Sequence, residues 1–288
     1  VFGSVLDDDM TARHVCARTV DELAPMRGSK YVQSDLGGSF SQVKALLEEG
    51  TAVLFSGVPC QVDGLKRYLG KDYPSLLTCD LVCHGVPSPA VFRAYLDSLE
   101  AERGSRVVSV RFKDKFHGWS HPWFTAEFAD GGVYTEDFNR TGYGRGFGMQ
   151  LFLRPACAKC RYTSTSRPAD FTLADYWGLD EKLALPVERD KGVSMVLVNS
   201  ARGQAVFDAL SPRFGQVERP LAEAVAGNPR LASPLKANPR RAAFFAAFAA
   251  LPFAEVEKRF LALPSLPYRA AAKVLTPAMK EKLRKILK

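Results

Sequence analysis

Two short apolar runs, TAVLFSG at 51–57 and LLTCDLV at 76–82, constrain the fold more than any other feature of the chain. Each has the length and composition of a buried strand, and each runs into a loop of small residues and proline. A helix follows each loop. GVPCQVDGLKRYLG turns into a helix that Gly70 ends, and SPAVFRAYLDSLEAERG is a helix with Gly104 behind it. Ser88 suits the N-cap and Pro89 the first helical position. Strands that alternate with helices in this way predict a parallel sheet.

The flanking segments extend that pattern. VFGSVL and HVCARTV are expected strands joined by the turn DDDM, and VDELAPM is a short helix. RGSKYVQSDLGGSF is a polar, glycine-rich loop, and SQVKALLEEG is a helix with Gly50 at its C-cap. The centre changes character. SRVVSVRFKDK, HPWFTAEFAD and GGVYTEDF alternate like antiparallel strands, with Asp130-Gly131 as a hairpin signal. ADFTLADYWG and GVSMVLVNS are two further strands, and ARGQAVFDAL is a helix. From about residue 216 the pattern is helical and punctuated by prolines. The expected fold class is therefore α+β or mixed α/β: a strand–helix alternating core, an antiparallel central section and a helical C-terminal appendage. The expected division is a core over 1–215 and a helical region over 216–288.

The 288 residues carry a net charge of +8, which favours acidic partners through electrostatic steering. Nucleic acid is not expected, because no helix-turn-helix, zinc-finger or RNP-type pattern occurs. No stretch approaches the roughly 18 apolar residues of a membrane span, and no secretory signal opens the chain. Six cysteines are too few and too unevenly placed for a secreted disulfide scaffold, so a cytoplasmic protein is expected. The chain opens directly on a strand at Val1, which suggests a further segment before it.

In such a setting clustered cysteines point to metal or catalysis. Cys157 and Cys160 form a CxxC, whose two thiolates can face one metal atom or cluster. Two more ligands are needed, and Cys60 and Cys83 are the candidates. Each follows an apolar strand and enters a loop, in SGVPCQ and LVCHGVPSP. Ends of neighbouring parallel strands share one edge of a sheet, where α/β proteins place their sites. Four thiolates suit Zn²⁺ or a [4Fe–4S] cluster. Structural zinc usually draws on two compact CxxC-like knuckles, so single cysteines on separate strand ends favour a cluster. Cys16 and Cys79, each inside a strand, are expected to be ordinary buried thiols.

The segments SGVPCQVDGLKRYLG, DLVCHGVPSP, RPACAKCRY and ADFTLADYWG, in this order, resemble the beta subunit of coenzyme F420 hydrogenase and formate dehydrogenase. RGSKYVQSDLG is similar to that family too, and relatives include hydroxymethyl-chlorophyll a reductases. The resemblance runs from residue 1 to about residue 200. It implies an oxidoreductase that carries FAD and a [4Fe–4S] cluster, with Cys60, Cys83, Cys157 and Cys160 at the family's ligand positions. The flavin would exchange hydride with an organic substrate or deazaflavin such as coenzyme F420. The cluster would pass single electrons to a ferredoxin-like partner or domain. The family's flavin site also uses a glycine-rich segment that lies before this chain begins.

Arg27, Gly28, Ser29 and Lys30 can cradle an anionic cofactor, by backbone approach at the small residues and by charge at the basic ones. The alternative is a solvated turn, and the resemblance favours the cofactor. Without a GxGxxG, a Rossmann dinucleotide site is not supported. Asp175 and Trp177, at a strand end, are candidate cofactor contacts, or else a turn aspartate and a packing tryptophan. His84 can replace a thiolate, tune the cluster by hydrogen bonding, donate a proton near the flavin or serve as a plain loop histidine. His117, Trp119 and His121 form a hairpin tip or line a pocket. The basic tail KEKLRKILK is expected to be a solvated amphipathic face. Two rival functions remain: a non-catalytic electron-transfer module and a zinc-stabilised binding module. The presence of a flavin separates the first, and metal content the second.

Overall fold

The computed structural model describes residues 1–179 and 188–263, so the tail KEKLRKILK lies outside the described residues. The chain enters as β1 (Phe2–Leu6) and returns antiparallel as β2 (Ala12–Cys16). Asp7 shapes the turn between them, its Oδ1 accepting the amides of Asp9 and Thr11. Asp21–Met26 is a short 3-10 helix. The polar loop then leads to α1 (Ser39–Glu48), β3 (Val53–Ser56), α2 (Pro59–Leu69), β4 (Leu76–Leu81) and α3 (Pro89–Arg103). Gly70 and Gly104 close α2 and α3 in the left-handed conformation, as their positions predict. Ser88 stands at the N-cap of α3, but its side chain makes no capping bond; its amide instead donates to the Phe152 carbonyl.

The three central strands β5 (Val107–Asp114), β6 (Trp123–Phe128) and β7 (Val133–Asp137) form a separate antiparallel sheet. Gly131 sits in the β6–β7 turn with φ +81°, so the Asp-Gly signal is borne out. Next comes α4 (Gly142–Gly148), a helix that the sequence GYGRGFG does not announce, because glycine is a poor helix former. Packing overrides propensity there. A side-chain carbon on Gly144 would collide with the Phe138 carbonyl, and one on Gly146 with the Phe152 ring. Thr141 Oγ1 caps the helix by accepting the Gly144 amide at 2.9 Å.

The chain then re-enters the first sheet as β8 (Phe171–Asp175) and β9 (Ser194–Val198). The six strands lie in the order β2-β1-β3-β4-β8-β9. The inner strands β1, β3, β4 and β8 are parallel, and β2 and β9 are antiparallel edges. β4 and β8 pair through Cys79↔Phe171, Asp80↔Thr172 and Leu81↔Leu173. The loops after β3, β4 and β8 consequently leave the same edge of the sheet. The helices α5 (Ala201–Leu210), α6 (Leu221–Gly227), α7 (Arg241–Ala250) and α8 (Phe253–Val256) follow. The architecture is the expected mixed α/β one.

One core joins α1 and α2 to the parallel sheet through Phe2, Val43, Phe55, Val62 and Leu65. A larger one packs Phe92 and Tyr95 of α3 on Phe112 and Phe124 of the antiparallel sheet and Tyr143 of α4. Phe244 of α7 and Val256 of α8 belong to this second core, so the C-terminal helices seal it. Each such aromatic is worth about 1.5–3 kcal/mol when fully buried. Among the described residues no helix is long and apolar enough to cross a membrane.

Candidate metal centre

Cys60 is the second residue of α2, placed by Pro59 at the start of the helix, and it is exposed. Gln61 fixes this entry, its Oε1 accepting the Val58 amide at 2.9 Å. Cys83 follows β4 in a half-buried loop. The next glycine, Gly85, has φ +135°, and a Cβ there would stand 2.6 Å from Leu153 Cδ1. That close approach lets two strands of chain meet. Pro87 bridges Leu153, Arg154 donates its amide to the Val86 carbonyl at 2.9 Å, and Val86 donates its own to Cys157 Sγ at 3.4 Å. Cys157 sits in the short helical turn Pro155–Lys159, and Cys160 ends it.

Cys60, Cys157 and Cys160 lie within electrostatic reach of Cys83. Burial pushes Cys83 up to about 12, and Cys157, Cys60 and Cys160 push it the same way, against the Gly85 amide that donates to its sulfur. Cys60 is exposed as a residue, but partial desolvation of its sulfur raises it, as do Cys160 and Cys157, with Arg154 opposing. Negative charge on neighbouring sulfurs thus opposes ionisation of Cys60 and Cys83, and a bound cation would relieve it. Yet among the described residues no group of three or more His, Cys, Asp or Glu side chains is close enough to grip one metal ion. Cys79 stands apart, burial raising it to about 11 and its Sγ facing the Asp80 carbonyl at 3.7 Å.

Two polar clusters tie the CxxC segment to the elements that carry the single cysteines. Asp63 of α2 accepts from Tyr162 Oη at 2.6 Å, Arg67 at 2.8 Å and Arg161 at 3.2 Å, and these donors hold its carboxyl below the usual range. Arg167 pairs with Asp80 of β4 at 2.9 Å, with both side chains almost wholly buried. The same guanidinium donates to the carbonyls of Leu81 and Tyr162 and to Thr172 Oγ1. Sequence reasoning missed both clusters. The signal for the second was present: an aspartate inside the apolar run LLTCDLV has to find a buried partner.

Beside the cysteines lies an aromatic and cationic flank. The His84 ring rests on Phe147 at 4.7 Å, and its Nε2 is buried with no hydrogen-bond partner among the described residues. Burial holds this imidazole below its ordinary value, and Arg230 and Lys113 act the same way. Lys113 of β5 donates to Asp175 Oδ2 at 3.1 Å. Its ammonium lies 5.6 Å from the centre of the Tyr31 ring and 5.8 Å from that of Trp177. Burial lowers Lys113, but Tyr31 and Asp175 outweigh it, and the group ends above its ordinary value. Trp177 is 43% exposed and packs on Trp119 at 4.5 Å. The β5–β6 connection, with His117, Trp119 and His121, is thus a hairpin tip that folds back onto this flank through Trp119.

Asp175 and Trp177 therefore meet, joined by Lys113 and Tyr31, which sequence reasoning did not single out. Tyr31 lies in the predicted loop, directly after the 27–30 cradle. Arg27, Gly28 and Ser29 are exposed, with Gly28 at φ +81° and open space around it. Lys30 is turned into its own loop, donating to the carbonyls of Pro25 and Arg27, and burial lowers it to about 8.

Residues 50–218 match the family defined by the C terminus of the coenzyme F420 hydrogenase/dehydrogenase beta subunit. The matched span contains the four candidate cysteines, Asp175 and Trp177, and begins after the 27–30 loop. Among solved structures, a chain of the F420-reducing [NiFe] hydrogenase complex from Methanosarcina barkeri, studied by xenon derivatization, is similar at a TM-score of 0.47. It is 16% identical, over 83% of each chain. Among curated proteins there is no match.

Proposed function

Because the chain belongs to the coenzyme F420 hydrogenase/dehydrogenase beta-subunit family, a family of oxidoreductases, we propose that it is an iron–sulfur flavoprotein. In this proposal it relays electrons between a flavin-coupled organic substrate or deazaflavin and a ferredoxin-like partner. The observation that carries it is the Val86 amide donating to Cys157 Sγ at 3.4 Å, which joins the Cys83 loop to the CxxC, with Cys60 within electrostatic reach of both CxxC cysteines. Four cysteines, two of them single residues beyond separate strand ends, fit a [4Fe–4S] cluster better than zinc, which usually draws on two compact knuckles.

When bound, the cluster supplies one-electron steps and FAD supplies hydride chemistry. The chain's own residues do the rest. The amides of Gly85 and Val86 donate to the sulfurs of Cys83 and Cys157, which favours negative charge there. Asp63 and Arg167 hold the CxxC segment in register with α2 and β4. Tyr31 and Trp177 offer aromatic faces to a planar ring, with the Lys113–Asp175 pair between them. The orphan Nε2 of His84 is a hydrogen-bonding group left for a ligand, since buried polar atoms are normally paired. Arg27, Gly28 and Ser29 are proposed to meet the anionic part of the cofactor, with Lys30 bracing their loop.

Anaerobic purification followed by iron, sulfide, zinc and flavin quantitation tests the proposal. About four irons and four sulfides per chain, with one flavin, are expected. Zinc without sulfide overturns the cluster. A Cys83→Ala variant that retains its full iron content overturns that ligand.

A further inference from the structure

The outer side of the CxxC segment is a shallow groove. It is lined by Arg154, Cys157, Lys236 and Arg241, with Pro155, Ala158, Leu235 and Ala237 as an apolar floor. Among the described residues, three of the lining side chains are cations and none is a carboxylate. Arg154 and Lys236 are exposed. Neither ammonium nor guanidinium is quenched by an acidic lining residue, although elsewhere on the chain surface cations stand beside carboxylates, as in Arg103–Asp130 and Arg93–Asp97.

The groove is also built rather than accidental. Asn238 donates to the Met149 carbonyl at 2.7 Å and Arg241 to the Leu153 carbonyl at 3.0 Å. Arg241 lies over the Phe245 ring of α7 at 4.5 Å. Two segments far apart in sequence are thereby clamped edge to edge, with Cys157 in the wall between them. In the proposed relay this half-buried cysteine would stand between the metal centre and the groove, and electron transfer weakens steeply with distance. An apolar floor with an uncompensated cationic rim is the complement of an acidic protein surface.

We propose that this groove is the docking site for an acidic one-electron carrier protein, seated over Cys157 and held by Arg154, Lys236 and Arg241. The inference rests on the proposed relay, but docking and cluster content are measured separately. Steering by such a rim acts over about one Debye length, near 10 Å at 0.1 M salt.

The test uses the full chain, purified anaerobically, and a small acidic [2Fe–2S] ferredoxin as probe, with affinity measured by calorimetry at low and high salt. Arg154→Glu and Lys236→Glu are each expected to weaken binding about tenfold at low salt, with the difference shrinking as salt rises. Lys71→Glu, an equally exposed cation on the loop entering β4 at the far edge of the sheet, is the control and should leave affinity unchanged. Iron and sulfide content is measured for every variant. Binding lost in the groove variants with iron retained supports the docking site. No binding by the wild-type chain, equal weakening by Lys71→Glu, or competition by a heparin fragment as effective as by the ferredoxin overturns it. A chain without iron overturns the relay instead, and leaves the affinity comparison to decide the groove.

Discussion

Arg167→Met is expected to cost the fold about 3–5 kcal/mol at neutral pH, because it strands a buried carboxylate. The side chains of Arg167 and Asp80 are 1% and 0% exposed, and they meet at 2.9 Å. Methionine preserves the apolar stem but supplies none of the guanidinium's hydrogen bonds. The carbonyls of Leu81 and Tyr162 lose donors at 3.0 and 2.6 Å. Asp80 keeps the Thr172 hydroxyl at 2.6 Å, but its Oδ2 already has no partner among the described residues. The penalty depends on pH. Burial raises the Asp80 carboxyl, while Thr172 and Arg167 lower it, so removing Arg167 raises it further. A carboxyl whose folded pKa lies above its unfolded one binds more protons when native, so its contribution falls as pH rises through that window. The deficit of Arg167→Met is therefore expected to be smaller near about pH 5 than near about pH 8. The double variant Asp80→Asn/Arg167→Met removes the stranded charge and should recover part of the loss. Urea unfolding at the two pH values measures this, and iron content reports on the CxxC segment that Arg167 anchors. A loss below about 1 kcal/mol at the higher pH, or full additivity of the two substitutions, refutes the reasoning.

Gly85→Ala places a side chain at positive φ and against Leu153, so it should destabilise the chain by about 1–3 kcal/mol and lower iron content, read by denaturation and iron assay. Lys113→Met and Trp177→Ala are each expected to weaken flavin binding about tenfold, or about 1.4 kcal/mol, with iron content unchanged; unaltered affinity in a fluorescence titration moves the flavin elsewhere. His14 is buried, which lowers its imidazole below 6.5 although the Ser56 carbonyl opposes this. The unfolded chain therefore takes up a proton first, and this contribution to stability is present above about 6.5 and lost as pH falls through the lower folded value. His14→Asn should flatten that part of the urea-midpoint profile.

Much of the fold was legible locally. Gly70 and Gly104 mark helix ends, Asp130-Gly131 marks a hairpin, and the apolar runs at 51–57 and 76–82 become β3 and β4. These signals act within a few residues and need no distant partner. α4 was not legible, since its glycines follow from close packing on Phe138, Phe152 and Glu257 rather than from helix propensity. Lys113 and Tyr31 were missed for a related reason. Nothing beside either residue in the chain indicates Asp175 or Trp177, which approach only when the antiparallel sheet docks on the end of β8.

The two cysteine-bearing strand ends and the CxxC are properties of the sequence alone, because strand length, turn residues and a two-residue spacing are local. Their meeting is a tertiary event. β8 pairs beside β4 only after the chain has travelled through the antiparallel sheet and α4, and the CxxC rides on the return segment. Contacts that span this excursion, above all the buried pair of Arg167 with Asp80 and the half-buried one of Tyr162 with Asp63, favour the return register. A buried charge tolerates only the register that pairs it, and that requirement brings Cys157 and Cys160 to Cys60 and Cys83.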